Sequence, residues 1–527
     1  MAKFRTRARA IDMLGRQQIA GVPTAIAELF KNAHDAYADR VEVDYFALDN
    51  LLVLRDDGLG MTRGDFEDRW LVLGTESKLG GSHGVKRPPQ DRTKPPRPIL
   101  GEKGIGRLAI ALLGPQALVL TRAAYGQKRR DIVACFINWD LFELPGINLD
   151  EIEIPLEVFS GEEVPTAAAI GRLVGATRQT LAGLRPNMDA ESYSRVRGQL
   201  DQFAVDPRTL LEGLGEPTLA GHHSGTHFYI QPATHLIRRD LDLDLEYRSG
   251  QKVDQICDLR RHLLGFVDTM IPGAAAPRIR TAFRYWKTNE APLTDLIEDR
   301  EFFTPEEFLD ADHRIRGEFD ETGFWRGTVE IYDQAPIQHT IAPPRGMSQQ
   351  TECGSFRIDF AYVQGEARHS RLPAAEWNRM DAKLKRLGGL YVYRDDIRVS
   401  PYGDTREDFL DIEERRSRGA GHYFFSHRRM FGAVSITRLG NPELKDKAGR
   451  EGLQKNSAYA TFHELLVNLY VQLAATFFRE GKDEPSLWEQ LRAQLLEAET
   501  ARREREKRTR LARRQFNADL KRVLAAM

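Results

Sequence analysis

Two α+β domains followed by a long terminal helix are what this sequence predicts, and three observations carry the prediction. Residues 22–60 read as an amphipathic helix, two short strands and a glycine turn; a second series of strand-like runs begins near Gly323; and residues 486–527 contain neither glycine nor proline. At 527 residues the chain is well beyond the length of one ordinary domain, so each part can bury a core of its own.

Residues 22–39 open with Pro23, suited to a first helical turn, and place Ile26, Leu29, Phe30, Ala33 and Tyr37 at helical spacing. Residues 41–46 alternate as a half-buried strand does, and 51–54 form a short apolar run that empties into Asp56-Asp57-Gly58-Leu59-Gly60, a turn. From Thr75 to Pro98 the chain holds five prolines, three glycines and several Lys and Arg, with little that could form a core, and reads as a mobile flap. Gly101, Gly104 and Gly106 end it, and a helix is expected at 108–113. Strands are expected at 117–121, 131–138 and 226–231, interrupted by a helical insertion around 166–203, which makes one α+β domain over 1–240. Residues 240–320 carry the weakest signal and are expected to form a helical connector. Beyond Gly323, strands at 328–332, 356–363, 390–393 and 433–437 and a helix at 374–387 make a second α+β domain over 321–480. The end, 486–527, is expected to be one helix.

The composition, 41% hydrophobic and 29% charged, is that of a soluble globular protein, and 76 basic against 77 acidic side chains exclude a globally basic binder of nucleic acid. Any such surface must be local. No apolar stretch follows the N-terminal MAKFRTRARA, and the most apolar run, around 108–120, is cut by Gly114 and Pro115, so neither secretion nor a membrane span is indicated and a cytoplasmic protein is expected. Cys135, Cys257 and Cys353 are too far apart to suggest a disulfide framework or a zinc cluster, and buried, inert thiols are expected.

Glu28, Asn32 and Asp35 stand at i, i+4 and i+7, within about 60° of one another on one helix face, so all three can address one ligand. A carboxylate within reach of a water can act as general base, and an Asn carbonyl oxygen suits a hard cation that keeps most of its waters, as magnesium does. Taken alone, such a face is as readily a solvated one. In the turn at 56–61, glycines 58 and 60 let backbone approach a flat ligand closely, and a carboxylate at a strand end can accept a hydrogen bond from an exocyclic amine; alone, it is also a plain loop. Gly101-x-x-Gly104-x-Gly106 ahead of a helix offers backbone N–H groups to phosphate oxygens at the positive end of the helix dipole. Its spacing is not that of the dinucleotide fingerprint, and no Gly-x-x-x-x-Gly-Lys-Ser/Thr run occurs.

In this order, Glu28-x-x-x-Asn32-x-x-Asp35-Ala36, Asp56-x-Gly58-x-Gly60-Met61 and Gly101-x-x-Gly104-x-Gly106 closely resemble the motifs of the GHKL ATPases: gyrase B, the ninety-kilodalton heat-shock chaperone, histidine kinases, and MutL with its MORC relatives. The resemblance implies a Bergerat fold, an α/β sandwich in which ATP lies under a flexible lid, here 75–106, with a helical insertion at 160–215. Carried over by position, Glu28 orients or deprotonates the attacking water, Asn32 binds Mg2+, Asp56 reads the adenine amino group and the three glycines wrap the phosphates. Asp35, Gly58, Gly60, Met61, Lys78, Lys103 and Ile105 lie in or beside these motifs and are carried over as nucleotide-binding. Asp57 replaces a commoner neutral residue, so either carboxylate could read the base. Thr226, in Gly225-Thr226-His227, resembles the family's late-strand Thr near adenine.

The run Gly449-Arg450-Glu451-Gly452-Leu453-Gln454-Lys455-Asn456 is similar to the chaperone's middle-domain segment that carries an Arg and a Gln toward the γ-phosphate, where gyrase B, MutL and MORC proteins supply a Lys. This implies an S5-like transducer domain at 321–480 and makes Arg450 the candidate catalytic sensor, with Lys455 and Lys447 as alternatives. Gly74-Thr75-Glu76-Ser77-Lys78 and Gly388-Gly389-Leu390-Tyr391-Val392-Tyr393-Arg394-Asp395 look like segments of MORC-like bacterial ATPases, although Tyr391 and Tyr393 are expected to be core or cross-strand residues. Little chain precedes the first motif, so a histidine kinase is not expected. The resemblance implies an ATP-gated switch that pairs two subunits, acting on DNA or a DNA-processing partner, with bacterial restriction or antiviral defence as the setting that analogy suggests. No nuclease constellation is visible. The alternatives are a chaperone, which would lack its large client-binding and dimerisation domain, and a module that holds ATP structurally. Residues 501–527 carry ten Lys or Arg against Glu504, Glu506 and Asp519, a basic helix that is solvated, docked on a protein, or laid on nucleic acid.

Overall fold

The computed structural model describes residues 6–73, 94, 96–101, 106–125, 131–249, 255–346, 350–447, 451–481 and 484–526. After α1 (Arg9–Gly15), helix α2 (Val22–Asp35) starts behind Gly21 with Pro23 in its first turn and buries Ala25, Ile26, Leu29, Phe30 and Ala33. It stops short of the expected residue 39 because Tyr37 takes a left-handed φ of 61° and the Leu59 N–H donates to the Ala36 carbonyl at 2.8 Å.

The first sheet contains β1 (Arg40–Phe46), β2 (Leu51–Asp56), β3 (Gln116–Arg122), β4 (Ile132–Asn138), β5 (Leu156–Phe159), β6 (Gly225–Ile230), β7 (Arg280–Trp286) and β8 (Thr294–Asp295). Their order is β5-β4-β3-β6-β2-β1-β7-β8, antiparallel except where β7 joins β1. Strand alternation sends Asp56, Thr226 and Phe228 to the face that α2 covers, and Glu42, Asp44, Arg55, His227 and Tyr229 to the other. Three helices of the insertion, Ala167–Leu184, Ala190–Gln202 and Pro207–Leu214, start on side-chain caps from Thr166, Asp189 and Asp206. The insertion reaches the sheet through Phe203, edge-on to Phe136 at 4.9 Å, and through Arg55, which donates to the carbonyls of Gly215 and Pro217 at 2.8 and 2.6 Å.

The segment expected to be a helical connector corrects the reading of 240–320. It holds the helices His235–Ser249 and Asp258–Leu263, but also β7 and β8, which complete the first sheet. The strand was hidden by its charge. Arg284 is tolerated in mid-strand because Asp44, fully buried on β1, accepts from its Nε at 2.7 Å, from Arg55 Nη2 at 3.0 Å and from Trp286 Nε1 at 2.8 Å. Glu42 takes a further bond from each arginine. The helix expected at 108–113 is a 3-10 helix, Gly106–Leu112.

The second sheet is ordered β11-β10-β9-β12-β15-β13-β14, from β9 (His313–Phe319), β10 (Trp325–Ile331), β11 (Ile337–Ile341), β12 (Phe356–Tyr362), β13 (Gly389–Arg394), β14 (Ile397–Arg398) and β15 (Met430–Ile436). Helix Ala374–Leu387 links β12 to β13, and helix Ser457–Leu473 packs Phe462 on Phe356 at 4.9 Å. Tyr391 and Tyr393 are buried, their hydroxyls donating to the carbonyls of Leu387 and Gly265 at 2.7 and 2.9 Å. Residues 264–267 stitch the two sheets together. Phe266 meets Phe30 of α2 edge-on at 5.4 Å, its carbonyl accepts from the Arg398 N–H at 2.9 Å, and Arg398 Nη1 donates to the Leu264 carbonyl at 2.9 Å.

The last helix, Leu487–Ala526, buries Trp488 and Leu491, and residues 504–518 along it are exposed. Among the described residues no helix is long and apolar enough to cross a membrane. The three cysteines are buried and free, and burial pushes the Cys257 thiol up to about 12, far from the thiolate a reactive site requires.

Asp44→Ala should leave the buried Arg55 guanidinium, the half-buried Arg284 guanidinium and an indole without their shared acceptor. A loss of about 3–5 kcal/mol is expected for truncating one partner of such a network. Urea unfolding would check it, and a loss below about 1 kcal/mol would show that the network does not hold β7 in place.

Candidate active site

The polar face of α2, the end of β2 and the start of β6 enclose a cavity of about 210 Å3. Asp56 closes one end. It is 5% exposed, and its Oδ1 accepts from the N–H of Gly58 at 2.9 Å and of Thr226 at 3.2 Å. Among the described residues Oδ2 takes no hydrogen bond. Burial pushes this carboxyl up to about 7, against the two N–H donors and with help from the neighbouring charge of Asp57. Asp57 itself is not part of the cavity. Its Oδ1 accepts from the N–H groups of Asp39 and Arg40 at 2.8 and 2.9 Å, which fastens the turn to the start of β1. Of the two carboxylates that the sequence left open, only Asp56 can meet a ligand there.

The two glycines of the turn approach protein backbone closely. Gly58 lies outside the cavity lining, and a Cβ on it would stand 2.9 Å from the Ala36 carbonyl oxygen and 2.9 Å from Asp56 Oδ1. Gly60 lines the cavity with φ +57°, and a Cβ on it would stand 1.9 Å from the Arg122 carbonyl oxygen. Both let the turn pass against protein backbone. The Met61 N–H is fixed by Thr121 Oγ1 at 2.9 Å, and Thr121 Oγ1 pairs with Thr226 Oγ1 at 3.0 Å, so Met61 and Thr226 share one wall with Asp56.

Glu28, Asn32 and Asp35 all line the cavity, as their spacing on α2 requires. Glu28 is 3% exposed, and its Oε1 accepts from Lys31 Nζ at 3.0 Å. Gly106 is backed against the pair: a Cβ on it would lie 3.1 Å from Glu28 Oε2 and 3.9–4.0 Å from the amide atoms of Asn32. Asp35 serves backbone, with Oδ1 accepting from the Leu100 N–H at 2.8 Å and Oδ2 from the Gly101 N–H at 2.9 Å. Gly101 therefore lines the cavity with its N–H already committed, contrary to the expectation that this group faces phosphate. Lys78, Lys103, Gly104, Ile105 and Arg450 lie outside the described residues, as does most of the expected lid.

The structure adds side chains that sequence reasoning missed. Asp65, Arg69, Trp70, Arg107, Tyr125 and Phe228 also line the cavity. Asp65 caps its own short helix through Thr62, accepts from the Tyr125 hydroxyl at 2.9 Å and pairs with Arg69 at 3.3 Å. The Thr62-x-x-Asp65 capping box was readable; the other partners come from distant elements. Arg107, next to Gly106, donates to the Arg69 carbonyl; burial lowers its guanidinium to about 10, which leaves it charged at neutral pH.

Residues 21–147 match the family of histidine kinase-, DNA gyrase B-, and HSP90-like ATPases. A GHKL-type ATPase domain is present. The match runs from the turn before α2 through β4 and includes every α2, turn and glycine residue described above; the insertion, Thr226 and the second sheet lie beyond it. No curated protein matches the chain. This family binds ATP, typically with Mg2+, and the donors of the domain fit that metal. Among the described residues no cluster of three or more His, Cys, Asp or Glu could cage an ion, and the one amide beside Glu28 suits a cation that fills its shell with water and phosphate oxygens.

The raised carboxyl of Asp56 has a measurable signature. Between its unfolded value of 3.8 and about 7 the folded ATPase domain binds a proton that the unfolded chain has lost. Stability should therefore fall as pH rises through that window and level off above it. Asp56→Asn should abolish this component and be more stable than wild type at pH 8, by roughly 2–4 kcal/mol, while binding ATP more weakly. Thermal melts from pH 4 to 8 check it; parallel profiles for the two proteins would show that Asp56 ionises normally.

Proposed function

We propose that this chain is a magnesium-dependent ATP hydrolase working as a nucleotide-gated switch. The observation that carries the reading is the convergence of Glu28, Asn32, Asp56 and Thr226 on one cavity within a GHKL-type ATPase domain. Asp56 Oδ2 accepts from the exocyclic amine of adenine, beside Gly60, Met61 and Thr226. At the other end Asn32 would hold the magnesium, which supplies charge neutralisation on the phosphates. Glu28 takes the proton of a water whose oxygen bonds to the γ-phosphorus as the bond from that phosphorus to the bridging oxygen breaks, releasing ADP. Arg107 adds positive charge to the same cavity.

The second domain serves as transducer in this reading, with Arg450 as the γ-phosphate sensor. The loop that carries it is anchored at both ends: Asp446 bridges Leu453, the Gln454 N–H donates to the Lys445 carbonyl at 2.7 Å, and Arg394 Nη1 holds Asp446 at 2.7 Å. Asp446 lines a small gap together with Lys31 and Leu100, so the base of this loop borders the active helix. Lys447 and Lys455, the alternative sensors, are exposed. ATP-driven pairing of two subunits and action on DNA or a DNA-processing partner, as in MutL and MORC relatives, follow from the resemblance. The exposed basic helix at 504–518 supports a nucleic-acid contact.

Glu28→Ala should retain ATP binding and lose turnover by about 10²–10⁴-fold, whereas Asn32→Ala should lose both through the metal. Steady-state phosphate release and equilibrium binding of the nucleotide separate these outcomes. Wild-type turnover in Glu28→Ala would overturn the assignment.

Sedimentation with a non-hydrolysable ATP analogue should reveal a dimer that is absent without nucleotide. Adding duplex DNA should give a complex whose affinity falls steeply with salt, and deleting 501–527 should flatten that slope because fewer counterions are released. One oligomeric state under all conditions would refute the gating. Stimulation of the ATPase by unfolded protein and not by DNA would point to a chaperone.

A further inference from the structure

We infer that Tyr402 is a positioning residue for the loop that carries Arg450, its hydroxyl fixing one limb of that loop to the joint between the two domains. The inference rests on the ATPase reading above and on Arg450 as its sensor. Residues 445–447 and 452–454 run antiparallel. The Lys447 N–H donates to the Gly452 carbonyl at 2.9 Å and the Gln454 N–H to the Lys445 carbonyl at 2.7 Å, with Asp446 opposite Leu453 between them. In such a ladder the residue between two bonded positions turns its own N–H away from the partner strand. Leu453 is 1% exposed, so this N–H must find an acceptor inside the protein. The Tyr402 hydroxyl oxygen accepts it at 3.1 Å.

Tyr402 is itself held from the joint. Its buried ring meets Phe409 edge-on at 4.7 Å, and Tyr459 brings its own hydroxyl close to that of Tyr402. The Tyr402 carbonyl accepts from Arg398 Nε at 3.0 Å, and Arg398 Nη1 donates to the carbonyls of Arg261 and Leu264 at 3.0 and 2.9 Å. The Arg398 N–H donates to the carbonyl of Phe266, whose ring packs on Phe30 of α2. A continuous series of contacts therefore runs from α2 through Phe266, Arg398 and Tyr402 to Leu453. The opposite limb is held from β13, where Arg394 bonds Asp446 at 2.7 Å and the Leu444 carbonyl. Both limbs thus hang on the segment 389–402. Gly452 leaves little slack: its φ is +90°, and a Cβ on it would stand 3.1 Å from the Tyr402 hydroxyl oxygen and 3.5 Å from Pro401 Cδ. A sensor must meet the γ-phosphate at one distance, so anchoring its loop to the joint that braces α2 sets the place of Arg450 relative to the nucleotide.

The test uses the full-length chain. Tyr402→Phe removes only the hydroxyl and leaves the Leu453 N–H without that acceptor. It should lower kcat by about 3- to 10-fold, with KM for Mg-ATP within about twofold of wild type, as displacement of a transition-state contact does. Combined with Arg450→Ala it should cost nothing further, because the group it places is already gone. Gly452→Ala, which crowds the same hydroxyl, should repeat both results. Wild-type kcat in Tyr402→Phe would overturn the role of Tyr402 while the ATPase reading stands. So would a loss of equal size in the wild-type and Arg450→Ala backgrounds, or a loss of thermal stability and ATP affinity with kcat unmoved, since either marks a merely structural hydroxyl. Arg450→Ala turning over at the wild-type rate would instead sink the sensor assignment and the inference with it, and a wild-type chain without ATPase activity would sink the reading beneath both.

Discussion

Three carboxylates buried around one cavity must each be compensated, and the arrangement of the first domain follows from how that is done. A buried charge without partners would neutralise or unfold its surroundings. Glu28 is compensated by Lys31, Asp35 by the N–H groups of Leu100 and Gly101, and Asp56 by those of Gly58 and Thr226. The last solution is the tightest. To bring two N–H groups onto Asp56, the 58–61 turn and the start of β6 must cross the end of β2 almost in contact. A Cβ on Gly225 would stand 1.9 Å from the Asp56 carbonyl oxygen, as one on Gly60 would from that of Arg122. The glycine pattern of this motif is thus the steric cost of burying Asp56. Even so, burial outweighs the two donors, since the carboxyl remains raised to about 7. A ligand that brings a donor to Oδ2 would complete the set.

What the sequence made legible follows the same physics. The helix from Val22, the two strands before the glycine turn, the helical insertion and the terminal helix were all readable, because apolar spacing, caps and missing glycines are local signals. Glu28, Asn32, Asp56 and Thr226 could be placed near one another because short motifs preserve their order. The compensating partners could not. Asp35 reads as a third member of a ligand-facing row, yet its acceptors are engaged by backbone 65 and 66 residues away. Asp57 reads as a rival of Asp56 and turns out to cap β1. Strand β7 escaped notice because Arg284 breaks its apolar pattern, and only the distant Glu42 and Asp44 make that arginine a sensible core residue.

The network of Asp44, Arg55, Arg284 and Trp286 also explains how a long insertion can share a sheet with the candidate cavity. Arg55 bonds Asp44 and Glu42 on β1 and, in the same side chain, the carbonyls of Gly215 and Pro217 at the end of the insertion. Its neighbour on β2 is Asp56, whose side chain points to the opposite face. Two successive residues of one strand therefore anchor the insertion behind the sheet and the cavity wall in front of it. Such a buried ionic cluster is weak evidence for net stability, but it specifies one arrangement, since any other register would leave charges unmatched.

Two contacts leave the active helix for the second domain from successive turns of α2. Asp35 holds the Leu100 N–H, and the Leu100 carbonyl accepts from Arg438; Glu28 holds Lys31, which borders Arg394, Arg438 and Asp446. Both paths end on one patch, between the end of β13, the residues after β15 and the start of the loop toward Arg450. Phe266 braces the same helix from behind through Phe30. A displacement of the second domain would therefore move the first residues of the 100–106 glycine segment and the partner of Glu28 together. Binding energy must be reciprocal between linked sites. If the patch biases the cavity, a ligand that orders Gly101 and Glu28 must bias the patch by the same free energy, and the short, charged, buried character of both paths is what lets a small shift at one end be felt at the other.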